Sequence, residues 1–482
     1  MVVFMENKIV LRCQRKFVNT PDFIIKEIRI SLFVTLYVLY LESVSSSSII
    51  HDFILKNVTL LRSLGKHHFK DLDSSIPAPH SVVVPDEEKI EFYLTNGFTV
   101  VVKGNEILAF ETKADINRSV SPPSTEQGIV GPKDSFTENI QINLGLIKRR
   151  IKSHSLKGKE IFIGRKTLSM VQVLYLEDIC ESSLVSYALG ELSKIDVDGI
   201  LDSGQILEYL SLENNTPFPT IMKTERPDQV ARSLLEGKIA ILVDTSPFVL
   251  ILPTFFADLI NPITDDYNKG ISVIFLKVIR LVCFFLTMMI PSVYIALINY
   301  NPEAIPTSLL LNFSTQRNFV PFPSFVEAAI LLFVYEILRE SDIRSPSPQG
   351  SAISILGALV LGEAAVSAGF VSPIMIIVVA ITFITSLVFT EQELINAARY
   401  FRILFLLFAS IYGLYGVFLG FVYFAIHMFE ITSAHKPYFY PIAPFHKSYF
   451  LKSLLGPKKI IDDTSRSSMI TKKNIIRQRR KL

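Results

Sequence analysis

The stretch Ser351 to Phe389 constrains this chain more than any other, because its 39 positions hold a single charged residue, Glu363. A run this apolar is about twice the ~20 residues that cross a bilayer as a helix. Val371-Ser372-Pro373 interrupts it, and since proline breaks a helix from within, the pattern predicts two helices joined by a tight turn. On a helical wheel Ser351, Ser354, Ala358, Gly362, Ala365 and Gly369 fall on one stripe. Small side chains there let a second helix approach closely, which is how membrane helices associate once lipid has removed the hydrophobic drive. Glu363 lies roughly 140° from the axis of that stripe, so it points away from the tightest contact.

Counting the two halves of this run, five apolar stretches follow Gly270: 272–300, 320–338, 351–370, 373–389 and 401–429. Lys277 and Arg280 open the first and are expected to snorkel to an interface, while Pro291 is expected to kink it. Stretch 320–338 carries Glu327 and Glu336, each costly at a bilayer centre, and is the one expected to lie in the interface or re-enter rather than cross. The last holds Ala409, Gly413, Gly416 and Gly420, a second small-residue stripe expected at a contact between subunits, and His427, expected as a packed neutral ring. From residue 431 onward twelve Lys and Arg face two Asp and Glu, so the positive-inside rule puts the tail in the cytoplasm. The N-terminus shows no export signal, which places both ends inside and requires an even number of crossings. The alternative is an external N-terminal domain with five spans.

A mean hydropathy of +0.39 over 482 residues fits a protein that is part soluble and part membrane. The soluble part carries an internal repeat. Val38-Leu-Tyr-Leu-Glu-Ser43 recurs as Val173-Leu-Tyr-Leu-Glu-Asp178, and the strand-turn-strand pattern from Gly97 recurs from Gly237 at nearly the same offset. The run Ile30 to Leu41 reads as one buried strand, and Ser45 to Ser48 as the cap of the helix after it. Helical spacing returns over Phe136 to Ile151 and ends in Lys148-Arg149-Arg150, read as a solvated helix end or, alternatively, a contact with anionic lipid or another subunit. The expected fold is therefore α+β with a membrane part. Two related α/β subdomains, 1–118 and 152–265, are joined by a linker and connecting helix at 119–151. A transmembrane helical domain, 266–430, and a basic tail, 431–482, complete the chain.

Catalytic chemistry is not indicated. Cys13, Cys180 and Cys283 are far apart and have no metal-ligand spacing, HExxH, CxxC and GxSxG motifs are absent, and no nucleic-acid motif stands out. Ile161 to Thr167 weakly suggests a phosphate loop, but strand-like residues follow it where a helix is needed. No cofactor, metal or nucleic-acid partner is expected. Ser246-Pro247-Phe248 reads as a turn between strands, and Thr224 to Asp228 as a helix cap with Arg226 available for an inter-subunit salt bridge.

Several peptides in order along the chain resemble the A subunit of the GerA-type spore germination receptors. They are Gly131-Pro-Lys133, Ile195 to Leu201, Thr224 to Asp228, Leu234 to Gly237, Ser246 to Phe248, Ile305 to Thr307, Val320 to Pro323, Glu336 to Glu340, Ser354 to Val360 and Val371 to Met375. The sequence departs from that family at Thr245, where a glycine is usual, at Val130, at Glu363 and in the loop Arg344 to Pro348. The resemblance implies a subunit in the inner membrane of bacterial spores. It also implies partnership with a transporter-like B subunit that holds the nutrient and with a lipoprotein C subunit, and assembly into a homo-oligomeric ring, a pentamer, that acts as a nutrient-gated ion channel. Glu363 and Glu327 are the pore candidates, with structural packing as the competing reading and, for Glu363, exposure near the membrane surface as a third. A non-conducting scaffold subunit is the second functional reading, and a carrier, which would want an inverted repeat that the membrane part lacks, is the third.

Overall fold

The computed structural model describes residues 7–31, 34–56, 81–114, 123, 126, 130–211, 215–268, 270–344, 362–389, 391–447, 450 and 469–471. Two five-stranded antiparallel sheets form its first half. The first contains β1 (Phe23–Ser31), β2 (Val34–Leu41), β3 (Ser81–Val83), β4 (Phe98–Lys103) and β5 (Glu106–Glu111), in the spatial order β1-β2-β4-β5-β3. The second contains β6 (Leu156–Ile163), β7 (Ser169–Leu176), β8 (Met222–Thr224), β9 (Ile239–Val243) and β10 (Val249–Leu252), in the order β6-β7-β9-β10-β8. These orders are the same, position for position. The repeated hexapeptide ends β2 in one sheet and β7 in the other, and the second repeated segment supplies the β4–β5 and β9–β10 pairs. Gly97 and Gly237 precede β4 and β9 with φ of 81° and 95°, so each repeat enters its hairpin through a left-handed residue.

Two local expectations need correction. Ile30 to Leu41 is not one strand: Ile30 belongs to β1, and Ser31 pairs with Val34 of β2. The sequence from Ile30 to Val34 holds no glycine, proline or charged residue to mark the change of strand. The connecting helix spans Ile140–Arg150, starting later than expected, because the side chain of Asn139 caps it by accepting from the backbone N–H of Gln141 and Ile142. Ser46 caps the helix after β2 as anticipated. Ile161 to Thr167 belongs to the β6–β7 hairpin and its turn.

Of the three basic residues that end the connecting helix, only Arg149 is exposed. Lys148 is buried and donates at 2.5 Å to Asp22, whose other oxygen accepts from the hydroxyl of Ser43, so the helix is tied to both ends of the first hairpin. Arg150 forms a two-pronged pair with Asp134 at 2.6 and 2.7 Å. Ser246-Pro247-Phe248 does lie in the turn between β9 and β10, and Thr245 takes φ of 70°. That torsion explains why a glycine suits this position. Thr245 is held there by its N–H to Glu138 O at 2.8 Å and by its hydroxyl to Leu201 O at 3.1 Å.

The second sheet is covered on both faces. Val171, Val173, Ile239 and Ile241 face a layer that includes the helix Ser182–Lys194. Leu174, Ala240, Leu242 and Ile251 face a core continuous with Phe284, Phe401 and Phe424 of the long helices. The stretch expected as a basic tail begins as folded structure on this sheet. Ser433 Oγ donates to Thr220 O and accepts from Thr254 N, Tyr438 O accepts from Phe256 N, and Lys436 pairs with Glu181 at 2.8 Å.

Truncating Lys148 leaves Asp22 buried and unpaired. Lys148→Ala is expected to destabilise the protein by about 3 kcal/mol, read as a lower midpoint in thermal unfolding of the detergent-purified chain. Thr245→Gly relieves a left-handed β-branched residue at the loss of one hydrogen bond and is expected to stabilise by about 1 kcal/mol in the same assay.

Candidate functional site in the helical layer

The helices leave the second sheet through an aromatic cluster. Phe218, in the loop before β8, has its ring centroid 5.5 Å from Phe401, 6.2 Å from both Phe424 and Tyr438, and 6.4 Å from Phe284. One soluble-domain side chain thus touches two long helical segments and the C-terminal stretch. His427 belongs to the same cluster and hydrogen-bonds Thr216 Oγ1 at 2.9 Å. Lys277 and Arg280 are docked rather than snorkelling. Lys277 is buried, and Arg280 binds Asp265 at 2.6 and 2.8 Å and Ile260 O at 3.1 Å. The helix that carries them, Gly270–Tyr300, runs on through Pro291.

The helical segment Gln392–Glu430 is not straight. Gly413 has φ of 61° and ψ of −139°, and the rings of Phe401 and Phe424 come within 5.2 Å, whereas 23 residues of straight helix would hold them about 35 Å apart. The segment is a hairpin of two antiparallel helices. Its tip packs on Tyr300, whose hydroxyl donates to the carbonyls of Ser410 and Ile411. A Cβ at Gly413 would lie 2.7 Å from Tyr300 Cβ, one at Gly416 would meet the Phe408 carbonyl at 1.9 Å, and one at Gly420 the Phe405 ring at 2.8 Å. Within the chain, the stripe of Ala409, Gly413, Gly416 and Gly420 closes the hairpin. By length and composition, two helices among the described residues suffice to cross a membrane, Ser272–Tyr300 and Gln392–Glu430. Folded at Gly413, the second becomes arms of about 30 and 25 Å.

The acids of this layer differ in their surroundings. Glu327, on the helix Ser324–Arg344, is fully buried, and its Oε1 accepts from the backbone N–H of Ser372 at 2.6 Å and from the Ser372 hydroxyl at 2.5 Å. Ser372 and Pro373 start the helix Pro373–Ser386, so Glu327 places a carboxylate at a helix N-terminus. Glu336 of the same helix contacts Arg402 at 2.7 Å and Arg399 at 2.9 Å, and Arg402 also lies over the Tyr335 ring. Glu363, among the helical residues 362–367, is exposed. Its neighbours Gly362 and Ala365 are half-buried, and Gly369 takes φ of 70°, where a Cβ would lie 3.3 Å from the Phe319 carbonyl oxygen. Ser351, Ser354 and Ala358 lie outside the described residues. The break at Val371-Ser372-Pro373 falls where the sequence places it.

Arg226 is likewise committed inside the chain. Its guanidinium, 3% exposed, binds Asp228 at 3.1 and 2.7 Å, where the sequence offered it for a salt bridge between subunits. Burial alone would raise the Asp228 carboxyl, but hydrogen bonds from Arg226 and Tyr267 outweigh it and hold Asp228 below the ordinary carboxylate value. Sequence reading missed the Glu336–Arg399–Arg402 cluster and the place of Phe218. Arginines at the start of an otherwise apolar stretch were the available signal for the first, whereas nothing local distinguishes Phe218 from other loop aromatics.

The family profile described as "Bacillus/Clostridium GerA spore germination protein" matches residues 12–467. The chain belongs to the GerA spore germination protein family. Among its relatives, "Spore germination protein KA" of Bacillus subtilis (strain 168) is 35% identical over 466 residues, covering 95% of this chain and 86% of that protein. "Spore germination protein GerLA" of Bacillus cereus is 35% identical over 370 residues, 76% of this chain and 75% of that protein. "Uncharacterized membrane protein YfkQ" of Bacillus subtilis (strain 168) is 32% identical over 420 residues, 85% and 81% respectively. A crystal structure of the N-terminal domain of the A subunit of the Bacillus megaterium spore germinant receptor GerK3 aligns with a TM-score of 0.40 at 28% identity, covering 51% of this chain and 94% of that one.

A methyl at Gly413 meets both a backbone torsion reserved for glycine and the Tyr300 side chain. Gly413→Ala is expected to destabilise the GerA-family chain by about 3 kcal/mol, seen as a lower thermal midpoint in detergent and as new protease cleavage near the hairpin tip.

Proposed function

We propose that the chain is the A-type subunit of a nutrient receptor that triggers spore germination, and that it contributes to an oligomeric, nutrient-gated ion path in the spore inner membrane. Membership of the GerA family supports the germination role, and relatives named as spore germination proteins cover most of the chain. The observation that carries the ion path is the different use of the acids in the helical layer. Glu327 caps a helix and Glu336 is neutralised by arginines, whereas Glu363 is exposed in the single chain. An exposed acid on an otherwise apolar helical layer suits a ring of carboxylates lining a cation pathway. Outward-facing Ile377, Ile384, Ile403, Phe418 and Phe429 supply apolar surface for lipid or for neighbouring subunits.

In this reading the receptor also contains a transporter-like B subunit, which holds the nutrient, and a lipoprotein C subunit, and the A subunits form a ring, a pentamer in the family's pattern. The basic tail argues for the cytoplasmic side as the location of the sheets and the C-terminal stretch, and the packing of the stretch after Glu430 on the second sheet supports a shared side for the two. A non-conducting scaffold is the competing reading, favoured by the small-residue stripe of the hairpin, which is spent within the chain.

Current recorded from bilayers containing the three subunits separates the two. A nutrient-dependent cation current is expected, with Glu363→Gln lowering cation selectivity at least several-fold. No conductance with all partners and nutrients present would favour the scaffold, and a Glu363→Gln variant with unchanged selectivity would remove this residue from the pathway.

A further inference from the structure

Where the second sheet meets the helices, a partly open cavity of about 170 Å³ is lined by side chains from the helix Pro227–Leu235, the helix Phe256–Ile260, the long helix and the residues just before the hairpin. Its lining is rich in acids. Arg226 is taken by Asp228, Arg280 by Asp265, and Asp258 by Lys238 at 2.6 Å, so these charges cancel in pairs. Two carboxylates remain. Among the described residues Glu126 accepts only from neutral donors, the Thr224 hydroxyl at 2.9 Å and the Glu225 N–H at 3.3 Å, while Arg226 reaches its backbone carbonyl instead. Glu391, on the opposite wall, has no basic partner among the described residues.

A second observation is independent of the acids. Gln229 is 8% exposed, lines the same cavity, and donates through Nε2 to Met222 Sδ, yet its Oε1 has no hydrogen-bond partner among the described residues. A buried amide oxygen without a donor is a cost that native structures normally avoid. Two uncompensated carboxylates and an orphan acceptor around one space call for a cation. Among the described residues no three acidic, His or Cys side chains converge as direct metal ligands, so the ion must keep much of its water. The volume allows this, since a water occupies roughly 30 Å³. Magnesium-like ions are commonly held in this manner, by one or two carboxylates plus water.

We propose that this cavity binds a hydrated divalent cation, with Glu126 and Glu391 as its carboxylate partners and Gln229 Oε1 as a neutral acceptor. The ion would join the second sheet to the root of the helical hairpin. Protons compete for the same groups. Burial pushes the Glu126 carboxyl up to about 7, and burial with the nearby Glu126 and Glu393 charges pushes Glu391 up to about 8. Glu225, Arg226, Asp228, Asp258, Glu393 and Arg280 are the other charged groups on the walls or adjoining them. Each raised carboxyl binds more protons folded than unfolded, so without the ion its contribution to stability falls as pH rises from about 4.5 through about 7 for Glu126 and about 8 for Glu391. A bound divalent ion offsets that loss.

The test uses the full chain in detergent and MgCl₂ alone, so it is independent of any current. Calorimetric titration at pH 8.5 should show saturable binding with proton release, weaker by at least tenfold at pH 6, and thermal unfolding should show a matching rise in midpoint at pH 8.5. Glu126→Gln/Glu391→Gln should abolish both. Binding equal at pH 6 and pH 8.5 in the unsubstituted chain, binding retained in the double variant, or the whole effect reproduced by KCl at equal ionic strength would each overturn the proposal. The pH comparison decides the matter even where the double variant does not fold.

Discussion

The joint at Phe218 is the contact on which the rest of the architecture depends. An aromatic side chain from a loop of the second sheet sits among Phe284, Phe401, Phe424 and Tyr438, so the sheet, the long helix, both arms of the hairpin and the C-terminal stretch share one core. Rings of this size bury a large apolar area and favour offset or edge-on contacts, which fix angle as well as distance. The C-terminal stretch and Arg280 add hydrogen bonds and ion pairs around this joint. A conformational change in the helical layer must therefore either move the second sheet as a body or break this packing.

The hairpin at Gly413 has the next largest effect. Membrane helices with small-residue stripes usually pair with a neighbour, and here the neighbour is the same segment folded back on itself. That fold brings the far arm back to the second sheet, where His427 meets Thr216. It also removes one surface on which subunits could have associated. Any ring must be closed by other faces, such as the exposed apolar residues of the helices Pro373–Ser386 and Ser324–Arg344.

Internal pairing recurs throughout. Lys148, Arg150, Arg226, Arg280 and Glu336, each of which reads in one dimension as a surface charge or a marker of membrane depth, all find partners within the chain. Burying them costs desolvation that only well-placed partners offset, so the pairs act as registers that allow one arrangement of the elements. Some partners are distant in sequence, as with Asp22 and Lys148 or Glu336 and Arg402, whereas Asp228 is two residues from Arg226. Local pattern has no access to the distant pairs.

What the sequence by itself determined is whatever depends on neighbours along the chain. The two sheets of shared order follow from the repeated hexapeptide and the repeated hairpins, the helix break follows from Ser372-Pro373, and the family follows from peptides spread over most of the chain. Only the tertiary structure decided that Ile30 to Leu41 turns a corner, that Gly413 reverses a helix, that Glu327 caps Ser372 and that Glu363 stays exposed. The physical reason is the range of the interactions. Periodicity, capping and backbone torsion are set by a few adjacent residues, whereas the partner of a buried charge or the use of a glycine stripe depends on which surface the folded chain brings against it.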